Sequence, residues 1–287
     1  MSNWSGGLAQ WTEDDVAYLS VVFSWMLPVA YDEAVWYRER GFRVLAGGPA
    51  VWVRPGYLKD VAEVKPNGCV KALTQHNKDA TIASRGCPVG CYFCIVPKME
   101  GKEFRLDWDF TPRPILCDNN LSALPLQFQW HVIRRYKETD TPLLDANSGF
   151  EPSSFDEETY IRWKEINKGA WRLALDEMKE LGDVKRCMNI LKDEPGNKKR
   201  VFVLIGNEPI APCYERVMKV IEFGGEPHVQ PMMALNTLEK RPMIKYDWTE
   251  HRLKDMARWA NRWLWRKLPL QEYAPRKNQS PLFEGLI

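Results

Sequence analysis

Residues 80–105 read ATIASRGCPVGCYFCIVPKMEGKEFR, and three of the chain's seven cysteines fall within eight residues of it as C-x3-C-x2-C: Cys87, Cys91 and Cys94. A β-prone run, 80–84, leads into them. Gly86, Pro88 and Gly90 keep the segment from becoming a helix, because glycine costs backbone entropy there and proline lacks the amide donor. The spacing predicts a loop that wraps three thiolates around one small inorganic centre. Three thiolates satisfy three irons of a cubane [4Fe-4S] cluster and leave the fourth open, whereas electron-transfer clusters use four cysteines. The competing reading is a non-enzymatic metal module, either a zinc knuckle or an iron–sulfur electron carrier. A closed zinc site needs four ligands, and the next donors, Cys117 and His131, stand well downstream.

SRGCPVGCYFCIVPKMEG, 84–101, resembles the cluster loop of the radical S-adenosylmethionine (SAM) superfamily, whose signature is C-x3-C-x-aromatic-C with Phe93 at the aromatic place. The resemblance implies an α/β fold, a partial (βα)6 TIM-like barrel, with the cluster on Cys87, Cys91 and Cys94. It implies that SAM chelates the open iron through its amino and carboxylate groups. An electron from a donor such as flavodoxin or ferredoxin then splits the sulfonium, and a 5′-deoxyadenosyl radical abstracts hydrogen from a substrate.

The chain has 287 residues, enough for one large α/β domain or a barrel with an appendage. Its net charge of +2 is too nearly balanced to imply nucleic acid by itself. No apolar run reaches a membrane span, and MSNWSGGLAQW lacks the basic–apolar order of a signal peptide. An odd cysteine count without a small-scaffold pattern predicts a reducing, cytoplasmic setting.

Residues 17–23 read as a buried strand. Pro28 fits a first helical turn, Ala30, Ala34 and Tyr37 share a face, and Gly41 stands where a glycine ends a helix. A second strand, 42–46, closes on Gly47, Gly48 and Pro49. This βαβ unit resembles a fragment of the Rossmann-like domain that precedes the barrel in cobalamin-dependent radical SAM enzymes. It lacks their Asp-x-His-x-x-Gly motif, so cobalamin is not expected. Residues 1–75 are expected to be a truncated appendage, 76–240 the barrel, and 241–287 a helix and tail packed on it.

From residue 80, six strand-like runs alternate with helical patterns at 122–138, 156–168, 181–193 and 213–223. The runs are 80–84, 114–118, 142–146, 171–176, 201–205 and 228–233. Such alternation predicts a parallel sheet with right-handed crossovers, and chemistry in parallel barrels gathers at the C-terminal strand ends. The second run ends in Asp118-Asn119-Asn120, whose acceptors suit an ammonium. By resemblance this triplet binds the SAM amino group; by turn chemistry alone it is an Asx turn. The third run ends in Asn147-Ser148 and the fourth in Asp176-Glu177. By resemblance these face the ribose, the methionine carboxylate or the substrate. Gly206, after the fifth run, and Phe93 are expected to bring their backbones against the adenine.

Cys187 sits on an apolar helical face as a core residue, and Cys69 carries no signal. Cys117 and Cys213 are the candidates for a hydrogen-donating or covalent role, Cys213 because a helix start lowers a thiol pKa. The loop CIVPKMEG resembles that of tRNA methylthiotransferases, but only Cys69 precedes the motif, too few for their second cluster. Residues 249–268 read as one helix with Leu253, Ala257, Ala260 and Leu264 inward. Arg258, Arg262 and Arg266 form a second stripe, interleaved with Trp259, Trp263 and Trp265. That stripe is either a solvated face or a surface for a nucleotide or nucleic-acid base.

Overall fold

The computed structural model describes residues 4–65 and 70–274 together with Phe283 and Gly285. Cys69 and most of the segment after residue 274 lie outside the described residues. The chain divides into two compact units, one of residues 1–115 with 234–241, the other of 116–233 with 242–287.

In the first unit, β1 (Leu8–Glu13) and β2 (Val16–Val21) form an antiparallel hairpin. Asp14 turns it at φ 51°, a conformation that Asp tolerates better than most residues. Trp11 and Tyr18 face each other across the pair and stack at 5.0 Å. Helix α1 (Leu27–Glu39) starts on Pro28 and ends before Gly41, whose φ is +84°. It returns the chain to β3 (Arg43–Gly47), parallel to β2, and after α2 (Pro49–Val53) β4 (Glu63–Lys65) extends the sheet in the order β1-β2-β3-β4. Leu27, Ala30 and Ala34 of α1 bury against Ala17, Leu19, Val21 and Val44, where a fully buried leucine contributes about 2 kcal/mol. Gly47 and Gly48 are required by close backbone approach: a Cβ on Gly47 would meet Lys65 O, and one on Gly48 would meet Val21 O.

Helix α3 (Val70–His76) leads to β5 (Ala80–Thr81), β6 (Ser84–Arg85), α4 (Val96–Met99) and β7 (Arg105–Leu106). His76 is buried between Ser5 Oγ at 2.6 Å and Ser20 Oγ at 2.9 Å, which ties α3 to the sheet. The strand–helix–strand unit of the sequence is β2-α1-β3. The outer strands β1 and β4 gave no sequence signal, because β1 is only half apolar and β4 has three residues.

The chain leaves the first unit within β8 (Ile115–Leu116). The second unit continues with α5 (Leu126–Glu138), β9 (Asp145–Ala146), α6 (Glu157–Lys164), β10 (Trp171–Ala174), α7 (Leu181–Ile190), β11 (Lys199–Ile205), α8 (Ile210–Glu222), β12 (Glu226–Pro231) and α9 (Glu250–Asn261). Strands β10, β11 and β12 form a parallel sheet in that order. Along β11, Val201, Val203 and Ile205 are fully buried, the alternation of a strand with one face on a core. Helix α5 buries Phe128, Val132, Ile133 and Tyr136 at helical spacing. Helix α6 starts on Asp156, whose side chain accepts the Thr159 amide at 2.7 Å.

The fold is mixed α/β with several sheets, and none closes into a barrel. The alternation of strands and helices is present. Three of the six expected strands, β5, β8 and β9, shrink to two residues each and stand outside the β10-β11-β12 sheet. The expected helix over 249–268 also differs, ending at Asn261. Asn261 turns its amide onto the edge of β12, accepting from Val229 N at 2.7 Å and donating to Val229 O at 2.9 Å. Trp263 then adopts φ 54°, which stops the helix. Trp259 is buried and donates to Leu268 O, Arg258 pairs with Asp255, and Arg266 pairs with Glu226. The arginine stripe is therefore not continuous. No helix among the described residues is long and apolar enough to cross a membrane.

Candidate functional site

The cysteine motif is the lobe of a tied hairpin in the first unit. Ser84 and Arg85 pair antiparallel with Leu106 and Arg105, making a neck. Just inside it, Gly86 has φ +95°, and a Cβ there would run into Glu103 O. The Gly86 amide donates to Glu100 Oε2 at 3.1 Å, the Cys87 amide to Gly101 O at 3.2 Å, and Arg85 pairs with Glu100 at 3.3 Å. A turn from Cys94 N to Cys91 O at 3.0 Å draws the last two cysteines together. Cys87, Cys91 and Cys94 are all half-buried, and none of the six described cysteines is in a disulfide. Burial pushes the Cys94 thiol up, opposed by the Val96 amide and reinforced by Cys87 and Glu100. Phe93 is half-buried and meets Tyr92 edge-on at 5.1 Å.

No group of three His, Cys, Asp or Glu among the described residues is arranged to hold a single metal ion. The donor chemistry of the loop nevertheless fits a cluster. Three half-buried thiols sit on one tied lobe, and one sulfur receives a backbone N–H, the kind of hydrogen bond that tunes cluster potentials.

The strand-end residues lie in the second unit. Asp118 is fully buried and Asn119 half-buried. Asn120 is buried, its Oδ1 accepting the Ala123 amide at 3.1 Å in an Asx turn. Asn147 and Cys117 come together, with Asn147 Nδ2 3.7 Å from Cys117 Sγ, while Ser148 is exposed. Arg172, missed by the sequence reading, organises this corner. Its Nη2 donates to Asp145 Oδ2 at 2.6 Å, and its Nη1 to Asn147 O at 3.0 Å and Oδ1 at 3.1 Å. The available signal was a charge at an alternate position in the otherwise apolar WRLAL.

Asp176, at the end of β10, is drawn into the backbone of β11. Its Oδ1 accepts the Leu204 amide at 2.9 Å, and its own amide donates to Glu180 Oε2 at 2.7 Å. Burial pushes its carboxyl up to about 6, the Leu204 amide and Arg216 opposing, and Glu180 and Glu151 adding to it. Fully buried Arg216 pairs with Glu208 and donates to Leu204 O at 2.8 Å and to Asn207 Oδ1 at 3.3 Å. Cys213 Sγ lies 3.4 Å from Arg216 Nη2. The thiol does not move down as a helix start predicts. Burial pushes it up, and neither Arg216 nor nearby backbone amides reverse that. Gly206 has φ +87° with Leu253 packed over it.

The first unit also holds a 350 Å³ cavity at the C-terminal ends of β2 and β3, lined by Trp11, Tyr18, Leu19, Gly47, Gly48 and Lys65 among others. Open α/β sheets bind ligands at such strand ends. None of the described residues lining it is a histidine.

No family model matches the chain, and no curated protein matches it in sequence. Among solved structures it is similar in fold to TsrM from Kitasatospora setae, a radical S-adenosylmethionine methyltransferase determined with cobalamin and a [4Fe-4S] cluster bound. The TM-score is 0.54 at 10% identity, covering 76% of this chain and 64% of that one. The chain thus spans less than two thirds of the length of TsrM, and the likeness is one of fold.

Proposed function

We propose that this chain is a radical SAM enzyme that carries one cluster on Cys87, Cys91 and Cys94. One observation carries the reading: the three thiols of a C-x3-C-x2-C motif occupy a single half-buried lobe that Gly86, Glu100 and Gly101 tie at its neck. The fold likeness to a radical SAM methyltransferase supports it. When bound, such a cluster supplies an open iron for SAM and the electron that cleaves it to a 5′-deoxyadenosyl radical.

The chain's own residues do the rest. The neck holds the lobe closed, Val96 N–H stabilises the Cys94 sulfur, and half-burial limits water at the donors. Asp118, Asn119, Asn120, Asn147, Ser148, Asp176, Gly206 and Phe93 keep the cofactor-binding roles that the resemblance gives them. The parallel β10-β11-β12 sheet supports the open (βα)6 architecture as part of the same proposal.

The cobalamin in TsrM counts against the expectation that this chain does without it, an expectation resting on the missing Asp-x-His-x-x-Gly motif. Titration of hydroxocobalamin into the protein, followed by its visible absorption, decides that point. The main test is anoxic reconstitution with iron and sulfide, then dithionite and SAM. About four irons per chain and formation of 5′-deoxyadenosine are expected. An intact cluster that never cleaves SAM would reduce the protein to an electron carrier, and tight zinc without acid-labile sulfide would make it a zinc module.

A further inference from the structure

One face of the β10-β11-β12 sheet carries charge that packing does not explain. Opposite the buried Val201, Val203 and Ile205, the alternate residues Arg200 and Phe202 of β11 are half-buried. The parallel register sets Arg172 beside Arg200 and His228 beside Phe202. Like charges side by side on neighbouring strands destabilise a sheet. Arg172 is compensated by Asp145 at 2.6 Å. The Arg200 side chain makes no hydrogen bond and no ion pair among the described residues; it feels the Asp145 charge only at longer range, and Glu226, its register partner, is held by Arg266 at 2.9 Å. The His228 ring meets Phe202 edge-on at 4.8 Å. Burial, then Arg200 and Arg172, push its pKa down, so it adds no charge near neutral pH. Two guanidiniums against one carboxylate leave a single positive charge in excess.

We propose that this face binds the carboxylate of a small monoanionic ligand, with Arg200 as its anchor and the Phe202 and His228 rings as its apolar wall. A guanidinium presents a planar fork that matches a carboxylate with two parallel hydrogen bonds. One excess charge balances a carboxylate and leaves one negative charge of a phosphate dianion unbalanced. A flat group beside the carboxylate gains ring contacts with Phe202. Arg172, already spent on Asp145 and Asn147, keeps the field positive without competing for the ligand.

The test uses the full chain and 4-fluorobenzoate as the probe, followed by ¹⁹F NMR line broadening. Saturable binding is expected, at least tenfold weaker in Arg200→Gln and unchanged in Arg134→Gln, an exposed arginine on α5. Because Arg200→Gln removes a repulsion, its Tm should hold or rise, which separates lost binding from lost folding. Competition by SAM assigns the carboxylate to SAM; its absence assigns it to a second ligand. Unchanged binding in Arg200→Gln, equal competition by fluorobenzene, or tighter binding of 4-fluorophenyl phosphate overturns the proposal. The readout needs no cluster, so failure here and failure of the radical SAM reading are told apart.

Discussion

Asp176 Oδ1 accepts the Leu204 amide at 2.9 Å, so a half-buried carboxylate just beyond one parallel strand is stitched to the backbone of the next. Burial dominates its titration and moves it up to about 6 from an ordinary value of 3.8. The folded chain holds this proton more tightly than the unfolded chain does. Ionisation therefore costs stability progressively as pH rises from about 4 to 6, by about 3 kcal/mol in full. Asp176→Asn keeps an oxygen for the amide and carries no charge. It should raise Tm at pH 7.5 and flatten the stability profile between pH 4 and 6. A lower Tm at pH 7.5, or an unaltered slope, would show that the carboxylate is needed ionised.

Gly86 is the residue on which the cysteine lobe closes. Its φ of +95° and the nearby Glu103 carbonyl leave no room for a side chain. Gly86→Ala should cost about 1–3 kcal/mol and lower iron bound per chain after reconstitution. Gly90, where a Cβ would stand in open space, serves as the control, and Gly90→Ala should keep its iron. Equal iron in both variants would mean that the neck does not shape the site.

The cysteines separate by burial. Cys187 is fully buried, its thiol pushed up to about 12, and Cys213 is fully buried and also pushed up. Iodoacetamide at pH 8 should label Cys87, Cys91 and Cys94 well before Cys187 and Cys213, as read by peptide mass spectrometry. Reconstitution should protect the first three. Early labelling of Cys213 would restore it as a reactive thiol.

His76 gives the first unit an acid limit. Burial pushes its pKa below 6.5, while a hydrogen bond donated to the Ser20 backbone opposes. The unfolded chain then binds the proton more readily, so stability should fall as pH drops below 6.5. His76→Phe removes the bonds to Ser5 and Ser20, and should cost about 1–3 kcal/mol at pH 8 while weakening that acid slope. A slope unchanged in the variant would place the acid sensitivity elsewhere.

Much of the candidate site was legible along the chain because its chemistry is local. Three thiols within eight residues, interrupted by Gly86, Pro88 and Gly90, make a loop whatever surrounds them. The β2-α1-β3 unit was legible for a similar reason, since Pro28 and Gly41 punctuate it at the places where backbone geometry needs them. The helices over α5 to α8 followed from apolar spacing. The reach of the 249–268 helix did not follow, because its end depends on Asn261 finding the bare edge of β12.

Sequence alone determined the kind of chemistry this protein offers: sulfur donors grouped on a non-helical loop, and alternating strands and helices that favour parallel pairing. Tertiary structure alone decided which residues share a surface. Arg172 and Arg200 are far apart in the chain, and only the register of β10 on β11 makes them neighbours. Asp176 likewise looks like an ordinary strand-end carboxylate until β11 buries it. Long-range backbone hydrogen bonds set such registers and desolvate the groups between them, and that information is spread over the whole fold.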